Sequence, residues 1–67
     1  MTFHDLVDAV FRLAAFYVRR RGTQPETAVK MAVTAMLDVE TPMLRVAVEE
    51  EALIILKIQL DYSGGVS

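Results

Sequence analysis

Over the first third of the chain, apolar residues recur at spacings of three and four. Phe3, Leu6, Val7, Val10, Leu13, Ala14, Tyr17 and Val18 make one stripe, with Asp5, Asp8, Arg12 and Arg19 on the opposite side. That period predicts an amphipathic helix over about 3–21 that needs a partner for its apolar face. Thr2, with Asp5 three residues on, has the form of an N-terminal cap. Gly22, after Arg19-Arg20-Arg21, offers a left-handed stop behind a positively charged last turn. The chain restarts at once: Thr23 and Glu26 have capping-box spacing and Pro25 suits a first turn. A second helix is expected over about 24–39, with Val29, Ala32, Val33, Met36 and Leu37 as its apolar face. So short a connection makes the two an antiparallel αα-hairpin.

After Thr41-Pro42 the pattern changes. Leu44, Val46 and Val48 alternate with Arg45, Ala47 and Glu49, and Ile54, Leu56, Ile58, Leu60 and Tyr62 alternate with Ile55, Lys57, Gln59 and Asp61. Period two with many β-branched residues predicts two strands, about 43–49 and 53–62. The expected fold class is therefore α+β, in the order α-α-β-β: a helical hairpin packed on an antiparallel β-hairpin, with dimerisation completing the sheet or bundle. Two features sit badly with the hairpin. Its link, Glu50-Glu51-Ala52, holds no Gly or Asn, and its register sets Arg45 opposite Lys57. The competing reading is an all-α three-helix chain, its third helix capped by Thr41 and opened by Pro42. Residues 1–62 read as one small domain in either case, with Ser63-Gly64-Gly65-Val66-Ser67 as a flexible tail.

Composition narrows the function classes. The 67 residues (7.5 kDa) are 54% hydrophobic, a globular balance with little room for a core, and the absence of Cys removes disulfides and thiolate metal sites as staples. Self-association is the staple left. The formal charge of −2 disfavours nucleic acid and anionic lipid as partners for the chain as a whole, although residues 1–22 are net basic and the rest net acidic. The opening Met1-Thr2-Phe3-His4-Asp5 lacks a basic leader pattern, and Asp8 and Arg12 interrupt the apolar run that follows. A cytoplasmic setting with no membrane partner is expected.

Candidate chemistry is sparse. His4 is a lone histidine, Glu49-Glu50-Glu51 reads as a solvated turn, and Gly22 and Gly64-Gly65 do not make a phosphate loop. No catalytic residue, metal ligand or cofactor is assigned, and enzymatic activity is not expected. Two surfaces remain. Phe16 falls between Arg12 and Arg20, off the apolar stripe, so Phe16, Arg12, Arg19 and Arg20 are the candidate partner-binding residues. Ala47, Leu53 and Ile55 lie on the solvent side of the expected hairpin and are the candidate dimer interface, which Met1, Met31, Met36 and Met43 suit as adaptable filler. The expectation is a non-catalytic protein–protein interaction module, a small regulator, adaptor or inhibitor acting as a homodimer. The alternatives are a nucleic-acid-binding regulator built on Arg19-Arg20-Arg21, or a small subunit of a larger assembly.

Overall fold

The structure, a computed structural model, describes residues 2–37 and 42–65, with side chains through Tyr62. It holds three helices: α1 (Phe3–Arg21), α2 (Pro25–Met36) and α3 (Pro42–Gly65). The first two lie close to where the pattern puts them. Thr2 Oγ1 accepts the Asp5 N–H at 3.2 Å and Asp5 Oδ2 accepts the Thr2 N–H at 3.3 Å, so the α1 capping box is complete. Gly22 closes the helix in the left-handed region (φ 65°, ψ 25°), donating its N–H to the Val18 carbonyl. The start of α2 differs from expectation. Gln24 is the N-cap and makes no side-chain capping bond, so the Thr23–Glu26 box does not form, while Pro25 stands in the first turn as anticipated. The helix also ends earlier: Leu37 is already extended, and residues 38–41, including the end expected at Val39 and the Thr41 cap, lie outside the described residues.

The β-hairpin does not form. Residues 42–65 are one helix, and among the described residues there is no strand, so the α+β expectation gives way to an all-helical fold. The reason lies in arithmetic shared by the two periods. Val48, Ala52 and Leu56 are fully buried and Leu60 packs beside them, a ladder at every fourth position. Every fourth position is also an even position, so one set of residues satisfies both a strand face and a helix face. The positions that separate the two readings are the other even ones. Val46, Ile54, Ile58 and Tyr62 are 51%, 53%, 63% and 77% exposed, whereas a strand would bury them with Leu56. Glu50-Glu51-Ala52 is mid-helix, consistent with its lack of turn residues. The Arg45–Lys57 conflict disappears because twelve residues of helix set them roughly 18 Å apart along the axis. The tail expected from Ser63 starts within α3, which reaches Gly65; residues 66–67 lie outside the described part.

Two polar contacts fix the direction of packing. Lys57 Nζ lies 3.0 Å from Glu26 Oε1, and Arg45 Nη2 donates to Thr34 Oγ1 at 3.0 Å. The start of α2 therefore meets the later part of α3, and its end meets the beginning of α3. With the three-residue turn at 22–24, the chain runs up, down and up, each helix touching both others. The core is slim. Its buried residues are Val7, Val10 and Ala14 of α1, Ala28, Val29, Ala32 and Val33 of α2, and Val48, Ala52 and Leu56 of α3. Four alanines bring the axes close, and Leu56 is the largest side chain fully enclosed. Of the α1 stripe, Phe3 stays 39% exposed; Phe11, absent from that stripe, packs against the core instead.

Candidate interaction surfaces

The first surface is the side of α3 turned away from the other helices. At about 100° per residue, Val48, Ala52 and Leu56 point inward, and Met43, Ala47, Ile54 and Ile58 lie roughly opposite them. Met43 is 83% exposed, and Leu44, Val46, Ile55 and Tyr62 extend the exposed set along both flanks. Pro42, Met43, Val46, Ala47 and Glu50 line a shallow apolar hollow of ≈ 350 Å³ at its N-terminal end. α3 thus shows apolar side chains on its outward side as well as its inward one, interleaved there with the exposed charges of Glu50, Lys57 and Asp61. The whole chain exposes 4791 Å², roughly 500 Å² more than scaling gives for a compact monomer of its mass.

The candidate dimer residues do not share this face as a set. Ala47 lies on this face, half-buried, and Ile55, exposed, lies about 80° round on one flank, while Leu53 turns inward and packs against the core. The triple was chosen as odd positions of a strand, and 53 and 47 fall about 120° apart on a helix. Met43, Val46, Ile54, Ile58 and Tyr62 were missed for the same reason. The signal that finds them is their angular distance from the 48/52/56 ladder.

The second surface is assembled as the α1 periodicity suggests. Arg12, Phe16, Arg19 and Arg20 converge with Phe11, Ala15 and, from α3, Gln59 around a hollow of ≈ 380 Å³. Phe16 is 50% exposed and the Arg20 guanidinium sits 5.9 Å from its ring centre. Arg12 Nε pairs with Asp8 Oδ2 at 3.0 Å one turn earlier, and the Arg21 guanidinium lies 5.6 Å from the Tyr17 ring. Arg12, Arg20 and Arg21 thus divide between an acid on their own helix and two aromatic faces.

The remaining polar candidates stay apart. His4 is exposed and edge-on to Phe3, with ring centres 6.1 Å apart. No cluster of three His, Cys, Asp or Glu able to hold a metal ion occurs among the described residues. Glu49, Glu50 and Glu51 fan around α3 rather than converging. Glu26 stands in the first turn of α2. A backbone N–H at the start of α2 holds its carboxyl below the ordinary value, aided by the hydrogen bond and charge of Lys57. No described helix is long and apolar enough to cross a membrane. No family model, curated protein or solved structure gives a significant match to the chain, so functional inference rests on these residues alone.

Proposed function

We propose that the protein is a non-catalytic interaction module, a small regulator, adaptor or inhibitor, in which the outward face of α3 joins two copies. The Phe16 hollow remains open to another protein. The observation that carries this reading is the row of exposed apolar residues on α3: Met43, Val46, Ile54, Ile58 and Tyr62 are 51–83% exposed. Burying what each still shows is worth roughly 5–10 kcal/mol per subunit, at about 1.5–3 kcal/mol for a whole side chain. Association costs on the order of 4–15 kcal/mol. Two such faces together meet that cost, and a partner covering only one or two of the side chains does not.

The chain's net charge of −2 weighs against the arginine cluster as a phosphate track. Arg12 is paired with Asp8, and Arg20 and Arg21 lie near aromatic rings. The test is light scattering on a dilution series of the wild-type chain and of Ile58→Glu, with ultraviolet absorbance of the same peak. The expected result is twice the chain mass for the wild type, and a monomer of unchanged helicity for Ile58→Glu. A wild-type monomer at the highest concentrations, or a peak carrying nucleic acid that salt removes, would overturn the proposal.

A further inference from the structure

The hollow beside Phe16 joins an apolar floor to a basic rim. Phe11 and Ala15 are half-buried in it and Phe16 is 50% exposed. Arg12 and Arg20 stand one turn before and after Phe16, about 40° to either side on the helical wheel, with Arg19 about 60° round on the Arg12 side. Gln59 closes the α3 edge, and among the described residues no acid lines the hollow. The acids around it leave the rim positive. Asp8 is held by Arg12 at 3.0 Å. Glu51 lies two turns before Gln59, about 12 Å along α3, and Asp61 stands about 160° round α3 from Gln59. Arg19 and Arg20 form no ion pair among the described residues. With Asp8 set against one arginine, two positive charges remain in excess. The negative end of the α1 dipole offsets about half a charge, and Arg21, turned to Tyr17, stands beside it.

These features select the occupant. Guanidinium groups bind carboxylates through two parallel hydrogen bonds, so the rim favours an anion of that shape. A half-exposed aromatic ring with the Arg20 guanidinium 5.9 Å from its centre is the kind of anchor that carries binding energy at protein interfaces. The Gln59 amide both donates and accepts, as a peptide backbone requires. The basic patch is also short. From Arg12 to Arg20 it spans about 12 Å of helix, and Asp8 and Asp5 follow on the same side of α1. A strand of phosphates running along α1 would leave the arginines and meet those acids, whereas one apolar side chain with carboxylates to either side stays within the patch. The hollow, ≈ 380 Å³, stands at the small end of the range of about 300–1,000 Å³ that ligand pockets span. We propose that it docks an acidic peptide segment of a partner protein, one large apolar side chain seated against Phe16 and the flanking carboxylates held by Arg19 and Arg20. The inference rests on the interaction-module reading, names the chemistry of the partner, and is independent of what covers α3.

The test probes an array of short random peptides with the full wild-type chain, with Phe16→Ala, with the double variant Arg19→Gln/Arg20→Gln, and with Arg21→Gln as the control from the same helical turn. Circular dichroism checks that each keeps wild-type helicity, and should Phe16→Ala lose it, the double variant decides. The peptides retained by the wild type are expected to be enriched in aspartate and glutamate flanking a large apolar residue. Synthetic copies of the strongest, followed by fluorescence anisotropy, should lose about tenfold or more in affinity for Phe16→Ala and for the double variant. They should lose nothing for Arg21→Gln, and bind the wild type more weakly as salt rises. A retained set without acidic enrichment, or one held equally by the double variant, overturns the proposal. So does an oligothymidylate that binds the wild type more tightly than the peptides. Light scattering of the same chains keeps the two readings apart: a dimeric wild type that retains no acidic peptide overturns this proposal and leaves the interaction module standing, whereas a monomer that retains none removes both.

Discussion

Leu56 and Ile54 are two residues apart, both large and aliphatic, and on a strand they would share one face. In α3 they part company: Leu56 is fully enclosed and Ile54 is 53% exposed. Replacing each by alanine therefore measures the fold itself. Leu56→Ala removes the largest fully buried side chain of a core otherwise made of valine and alanine, and such truncations cost about 2–5 kcal/mol. Marginal stability for a chain of this length amounts to roughly 3–10 kcal/mol, so the variant loses a large share of it. Ile54→Ala removes three carbons about half sheltered, or about 1 kcal/mol at ~0.8 per buried methylene, and alanine's better helix propensity returns a few tenths. Urea unfolding followed by far-ultraviolet circular dichroism yields both values. It is run where light scattering finds the monomer, so that the α3 face contributes only its intrachain contacts. Leu56→Ala should cost at least twice what Ile54→Ala does. Equal losses, within about 0.5 kcal/mol, would mean that the two side chains share an environment, and the helical placement of 42–62 would be refuted.

Two further outcomes follow from local geometry. A Cβ at Gly22 meets nothing within 4 Å, so Gly22→Ala acts through backbone strain at φ 65° alone; it should cost about 1 kcal/mol and lower Tm by about 4–8 °C, with Gly22→Asn milder. A larger fall for Asn than for Ala would contradict the left-handed cap. The depressed carboxyl of Glu26 contributes stability that is present above its unfolded pKa and is lost as pH falls through the lower folded value. Glu26→Gln should therefore lower the neutral plateau of a stability–pH curve and flatten its acid limb, and curves superimposable on the wild type would show that the backbone N–H and the Lys57 contact together contribute nothing.

How much was legible varied with how many sides of a helix are covered. α1 has one covered face, and its stripe, its Thr2–Asp5 box and its Gly22 stop could all be read from spacing. The convergence of Arg12, Phe16, Arg19 and Arg20 could be read too, since all four lie on one helix and need only its period. α2 is short, so Val29, Ala32 and Val33 locate its face, but two boundary residues competed for its cap and Gln24 took the place expected of Thr23. Contacts between helices, such as Lys57 with Glu26 or Gln59 beside Phe16, depend on how far one element slides along another, which no local pattern encodes.

α3 is the opposite case, and its misreading is informative. A helix buried on one face shows a 3.6-residue period because its other face is polar. When apolar residues stand on the exposed face as well, the contrast that defines the period weakens, and a chance excess of apolar even positions passes for alternation. The residues that created the false strand, Val46, Ile54, Ile58 and Tyr62, are the same ones left uncovered by α1 and α2. The period fails in α3 because apolar residues stand on its exposed side as well as on its buried one, interleaved with Glu50, Lys57 and Asp61.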